Sequence, residues 1–121
     1  MSTVVNFDFT VGQVGARIVL AIVRTNPFTG VTAALDVSSE TRKDIIIKKP
    51  DGTKETFSGG GVVFTPAPDG IGDGTDGLIE ASVLVDTTLD QEGTYEVQAD
   101  MALPGEVGFT QIGTFTVGEN L

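Results

Sequence analysis

The chain predicts an all-β fold, an antiparallel sandwich of about seven to nine strands in a single domain over residues 1–121. Three observations predict it. Short apolar runs alternate with polar residues at a period of two, the spacing at which one face of a strand meets a core. Glycine and proline punctuate these runs, and valine and threonine fill them. At 121 residues the chain is long enough to bury one core and too short for two.

The stretch Asp44 to Phe57 carries the strongest signal. An apolar run, Ile45-Ile46-Ile47, leads into Lys49-Pro50-Asp51-Gly52 and then a second run, Lys54 to Phe57. Proline presets φ for a turn and glycine accepts the positive φ that ends one, so this is a β-hairpin. Val4 to Val11 reads as one half-buried strand, with Val5, Phe7, Phe9 and Val11 on its inner face. Ala16 to Arg24 is apolar on both faces, Ile18, Leu20 and Ile22 against Val19, Ala21 and Val23. Its β-branched content favours strand over helix, and two apolar faces imply a central position or a covering subunit. Residues 25–30 form a loop with Phe28 near the tip. Ala33 to Val37 is a weak strand, and Ser39 to Asp44 could open a single helical turn.

Val62 to Thr65 is a short strand, followed by a glycine-rich acidic loop, residues 66–77. Leu78 to Val85 alternates, with Ile79, Ala81, Val83 and Val85 inward and Glu80 and Ser82 outward. Thr94 to Leu103 has the cleanest alternation, with Tyr95, Val97, Ala99, Met101 and Leu103 inward. Phe109 to Val117 closes the domain with Phe109, Phe115 and Val117 on one face. Short strands at this spacing, joined by turns, predict a sandwich of the immunoglobulin-like type.

The chain has neither cysteine nor histidine. Disulfides, zinc held by thiolate or imidazole, and any histidine-based triad are thereby excluded. Nothing near Met1 reads as a signal peptide, and the apolar run Ile18 to Val23 is too short to span a bilayer. The net charge is -10, unevenly spread. Residues 1–54 hold all seven cations and five carboxylates, a net of +2, whereas residues 55–121 hold twelve carboxylates and no cation. Such a balance argues against nucleic acid or anionic membrane as a partner. It suits head-to-tail docking onto a neighbour, or else a plain solubilising surface.

Asp69, Asp73 and Asp76 in the acidic loop are the one candidate metal site, for calcium, which takes hard oxygen ligands. Their spacing is not that of an EF-hand, and two consecutive turns are the alternative reading. No other cofactor is expected. Asp86, Asp90 and Glu92 cluster on a turn, where carboxylates are commonly solvated, and a small sandwich rarely supplies the cleft that paired catalytic carboxylates must face across. A non-enzymatic module is therefore the expectation. The candidate interface comprises Ile18, Val19, Leu20, Ala21 and Val23 of the two-faced strand, Phe28 beyond it, and the hairpin lysines Lys48, Lys49 and Lys54. A cross-strand ion-pair ladder is the alternative role for the lysines.

In order, Leu35-Asp36-Val37-Ser38-Ser39, Ile45 to Thr53, Asp73 to Ile79, Leu89 to Ala99, Leu103-Pro104-Gly105 and Phe115-Thr116-Val117 form a pattern. It resembles the small immunoglobulin-like β-sandwich modules of tailed-bacteriophage virions, including the N-terminal domain of upper baseplate proteins. The resemblance implies a structural virion protein, made in the host cytoplasm, present in many copies or as a homo-oligomer and bound to other virion proteins. The sequence carries no helical or receptor-binding extension after Leu121, which favours a capsid decoration (cement) subunit over a tail or baseplate module. A carbohydrate-binding adhesion module is the reading from another class. The absence of tryptophan and the single tyrosine weigh against it, because sugar sites use exposed aromatic platforms.

Overall fold

The computed structural model describes the backbone of residues 2–4 and all of residues 9–65, 72–110 and 112–119. Two sheets face each other across one core. The first contains β1 (Ser2–Val4), β3 (Arg17–Thr25), β4 (Thr32–Ala34), β7 (Val62–Phe64) and β8 (Leu78–Ser82). Its order is β1-β3-β8-β7, with β4 also paired to β3. The second contains β2 (Phe9–Thr10), β5 (Arg42–Lys48), β6 (Lys54–Phe57), β9 (Gly93–Leu103), β10 (Glu106–Phe109) and β11 (Gly113–Gly118). Its order is β2-β11-β9-β5-β6, with β10 also on β9. No described residue is in an α-helix; a 3-10 turn at Gly59–Gly61 leads into β7.

The core is built by the alternation that the sequence displays. Ile18, Leu20 and Ile22 from β3 meet Ile45 and Ile47 from β5 and Tyr95, Val97, Ala99 and Met101 from β9, all essentially fully buried. Each fully buried side chain of this size contributes about 1.5–3 kcal/mol by leaving water. Two rings flank Phe115: Tyr95 stacks on it at 5.3 Å, and Phe9 meets it edge-on at 5.3 Å.

The hairpin at Asp44 to Phe57 forms as expected, with Lys48 opposite Lys54 and Ile45 opposite Phe57. Gly52 N–H donates to Lys49 O at 2.9 Å, and Lys49 N–H to Thr53 O at 2.8 Å. Gly52 has φ +91°, the left-handed conformation that closes a three-residue hairpin loop.

Four expectations need correction. Val4 to Val11 is not one strand. β1 pairs antiparallel with β3 in the first sheet, whereas β2 pairs parallel with β11 in the second. Both sheets bury one face in the same core, so an alternating pattern reads identically whichever sheet holds it. Val5 and Phe7 lie outside the described residues. β4 stops at Ala34, and no helical turn precedes β5; Glu40 N–H instead closes a turn on Val37 O at 3.2 Å.

Phe109 and Phe115 do not share a face. Phe109 pairs with Asp100 and Gly113 with Val97, so four steps along the closing segment match three along β9. That extra residue is a bulge, and a one-residue slip turns every side chain before it to the other face. Phe109 is accordingly 61% exposed. Thr110 stitches the break: its N–H donates to Ala99 O at 2.8 Å, and its Oγ1 accepts from Ala99 N–H at 2.9 Å. Fourth, β8 ends at Ser82, so Val85 leaves the sheet and is exposed.

Tyr95 fixes the entry to β9. Its hydroxyl, inside the core, accepts the Gln91 N–H at 3.1 Å and so ties the preceding turn to the strand. Burial raises the phenol above the ordinary tyrosine value, and this outweighs the Gln91 hydrogen bond. The sign follows directly. The stabilisation is complete below the unfolded pKa of about 10 and is lost as pH rises through the higher folded value. Since the chain has one tyrosine and no tryptophan, absorbance at 295 nm reports this residue alone. The tyrosinate signal is expected above the free-tyrosine range, rising together with unfolding. Tyr95→Phe, which strands a backbone donor, is expected to cost about 1–3 kcal/mol in urea unfolding.

Candidate functional site

The loops divide between two ends of the sandwich. At one end the turns after β2, β5 and β8 are bonded together. Gly12 N–H donates to Leu89 O at 2.8 Å, and Asp51 N–H to Gln91 Oε1 at 3.1 Å. Lys49 Nζ donates to Thr87 O at 2.7 Å and sits 3.0 Å from Asp90 Oδ1. At the other end lie the β3–β4 loop, residues 72–77 before β8 and the β9–β10 hairpin. There Arg24 pairs with Glu106, and Val37 N–H donates to Gly74 O at 2.9 Å.

This second end carries the most exposed aromatic ring of the described residues. Asn26 organises its loop: its N–H donates to Val31 O at 2.8 Å, its carbonyl accepts from Gly30 N–H at 2.8 Å, and its Oδ1 accepts from Phe28 N–H at 2.9 Å. At the base the Thr25 and Thr32 hydroxyls bond at 2.6 Å. Phe28 is thus held on an ordered turn yet is 95% exposed, with Val31 exposed beside it. The loop and β4 frame an open groove of about 700 Å³, lined by Pro27, Phe28, Val31, Ala33, Ala34 and Leu35. Residues 25–35 contain no charged side chain. Gly77 closes the base of this end. It has φ +75°, and a Cβ there would lie 2.6 Å from Ile22 O and 2.7 Å from Leu35 O, so the backbones meet at a distance only glycine permits.

The expected interface residues do not form one surface. Ile18 and Leu20 are fully buried between the sheets and cannot touch a partner, because β3 is an interior strand of its sheet. Val19, Ala21 and Val23 are half-buried on the outer face. Phe28 lies at the groove, and the three lysines lie on the hairpin at the opposite end. Lys48 is 3.9 Å from Glu96 on β9. Lys49 is only 13% exposed at its side chain and is consumed by Thr87 and Asp90. Lys54 has no carboxylate within pairing distance among the described residues. The ion pairs run between β5 and β9, as in Arg42–Asp100 at 2.8 Å, and not across the hairpin. Val31, Ala33 and Ala34 were not anticipated, although the uncharged run that contains them was visible.

Asp73 and Asp76 each commit an oxygen to their own turn. Asp73 Oδ1 accepts Thr75 Oγ1 at 2.7 Å and Thr75 N–H at 3.1 Å, and Asp76 Oδ1 accepts Leu78 N–H at 3.1 Å. Asp69 lies outside the described residues. Among the described residues no group of three ligating side chains converges. The same Asp-x-Ser/Thr device recurs at Asp36–Ser38 and Asp51–Thr53. In all three the hydroxyl bond first, and the backbone N–H second, lowers the carboxyl pKa. Glu80 is on the outer face as expected but only 3% exposed, flanked by Val19 and Val63 and paired to Arg17 at 3.3 Å.

No family model, curated protein or solved structure matches this chain.

Lys49→Met is expected to lower unfolding free energy by at most about 1 kcal/mol, because its partners Thr87 and Asp90 are exposed and water takes over the lost bonds. Lys54→Met should stay within about 0.5 kcal/mol of wild type; urea midpoints check both. Millimolar calcium is expected to leave the melting temperature unchanged, since a ligand of the native state must raise it. A rise of several degrees would establish the acidic loop as a site.

Proposed function

We propose that this chain is an immunoglobulin-like β-sandwich that works by docking and not by catalysis. The setting proposed is a tailed-phage virion, with the protein as a decoration subunit on the head. Support for the immunoglobulin-like arrangement comes from three features. The first strand segment crosses between sheets and pairs parallel with the last strand. The sheet orders β1-β3-β8-β7 and β11-β9-β5-β6 follow the order of that fold with one added edge strand. The Tyr95 hydroxyl bonded four residues upstream is the corner found at the start of its sixth strand.

The observation that carries the docking reading is Phe28, held by the Asn26 turn with its ring in water. Leaving such a ring solvated forgoes about 1.5–3 kcal/mol of burial, and an ordered turn prevents it from folding back. Exposed aromatic anchors of this kind are what interfaces bury at their centres. The resemblance to virion modules supplies the setting, and the acidic remainder of the surface suits a subunit whose other faces stay in solvent. Lys48, Lys49 and Lys54 fall away from this docking end.

Purified protein added to undecorated heads is expected to bind at stoichiometric occupancy. Phe28→Ala should weaken that binding about thirtyfold, the loss of a hot-spot residue, with an unchanged melting temperature. Binding to purified tails alone would move the proposal to the tail module. Equal binding by wild type and Phe28→Ala would sink the docking role of this end.

A further inference from the structure

We infer that the outer edge of β4 is a self-association site, at which two copies pair their Thr32–Ala34 strands antiparallel about a two-fold axis through Ala33. The inference rests on the docking-end reading and names a second copy of the chain as one partner of that end.

The hydrogen-bond register sets the geometry. Asn26 N–H donates to Val31 O, and Leu35 N–H donates to Ile22 O. Ala33, between them, stands opposite Arg24. In an antiparallel ladder alternate residues turn their backbone groups to the same side. Val31, Ala33 and Leu35 therefore face β3, and the N–H and C=O groups of Thr32 and Ala34 face away from it. No described strand pairs with that side, and all three residues of β4 are exposed. The strand is short, three residues, but carries no charge, proline or bulge to blunt its edge.

A second copy fits this edge for two reasons. The first is register. With Ala33 opposite Ala33, Thr32 of each copy exchanges both backbone bonds with Ala34 of the other. The two Ala33 residues then form the close, non-hydrogen-bonded pair, in which opposed Cα atoms approach to about 4.5 Å. Two alanine methyls meet there without obstruction, and the next non-hydrogen-bonded pair on each side brings Val31 opposite Leu35. The second reason is charge. Each copy carries a net charge of -10, so two copies repel wherever carboxylates meet. Residues 25–35 carry no charged side chain, and Arg24 at their boundary is neutralised by Glu106. Here two acidic molecules can touch without opposing like charges.

Sedimentation velocity of the full chain, from micromolar to millimolar concentration, tests this. Wild type is expected to show a concentration-dependent monomer–dimer equilibrium. Ala33→Lys and Ala33→Glu each set like charges face to face, and each should weaken the dimer at least about tenfold. An equimolar mixture of the two should restore it as a heterodimer. Ala33 is exposed, so both variants should melt as wild type does; if either unfolds, the wild-type series decides alone. A wild type that stays monomeric throughout overturns the inference, as does a dimer indifferent to both substitutions. Head binding that survives in a strictly monomeric protein would overturn self-association while leaving the docking reading intact.

Discussion

The eleven-residue strand β9 is the element against which the rest of the molecule is registered. It pairs with β5 along one edge and with both β10 and β11 along the other. Its inner face supplies Tyr95, Val97, Ala99 and Met101 to the core. One hydroxyl fixes where it starts: Tyr95 takes the Gln91 N–H and so locks the turn that delivers the chain from the first sheet to the second. Register errors in a sheet with one buried face turn the whole apolar set to water. A single well-placed hydrogen bond therefore does more for uniqueness than its about 1 kcal/mol of stability suggests. The same strand tolerates one slip, the bulge at Thr110, where the slip places Phe109 on the outer surface.

Charge is arranged by the fold in a way that its distribution along the chain conceals. Six of the seven cations lie within pairing distance of a carboxylate. Five of those pairs join the first half of the chain to the acidic second half; Lys43–Glu40 alone is local. A +2 segment and a -12 segment thus become interleaved strands, and the basic pole that head-to-tail docking requires is not formed. Exposed pairs of this kind contribute roughly 0–1 kcal/mol each, so they do not hold the sandwich together. Their effect is to cancel the cations, which leaves a surface dominated by unpaired carboxylates.

Much of the all-β architecture was legible because it is local. Lys49-Pro50-Asp51-Gly52 specifies its own turn, and the alternation from Tyr95 to Met101 specifies its own face. The division of the first strand between two sheets was not legible, since Phe9 obeys the same period in either sheet. The bulge was hidden because the extra residue is defined against β9, some ten residues back, and not within its own strand. Glu80 was placed on the correct face, but its burial depends on Val19, Val63 and Arg17, which are distant in sequence. For the candidate site, Phe28 was readable as a loop tip. The two faces of β3 could not be told apart from pattern alone, since both are apolar. Only the second sheet decides that Ile18 and Leu20 are core.

These two outcomes, charge cancellation and an uncharged loop and strand over residues 25–35, belong together. A small acidic protein stays dispersed because its copies repel over most of their surface. An exposed phenylalanine and an unprotected strand edge would be hazards on a neutral protein. Here they occupy residues 25–35, a stretch without a charged side chain. Repulsion disfavours contact through the carboxylate-bearing faces, so acidity bears on orientation as well as solubility. On the proposed reading, specificity comes less from a shaped pocket than from presentation: an ordered turn holds the Phe28 ring in water beside an uncharged strand edge.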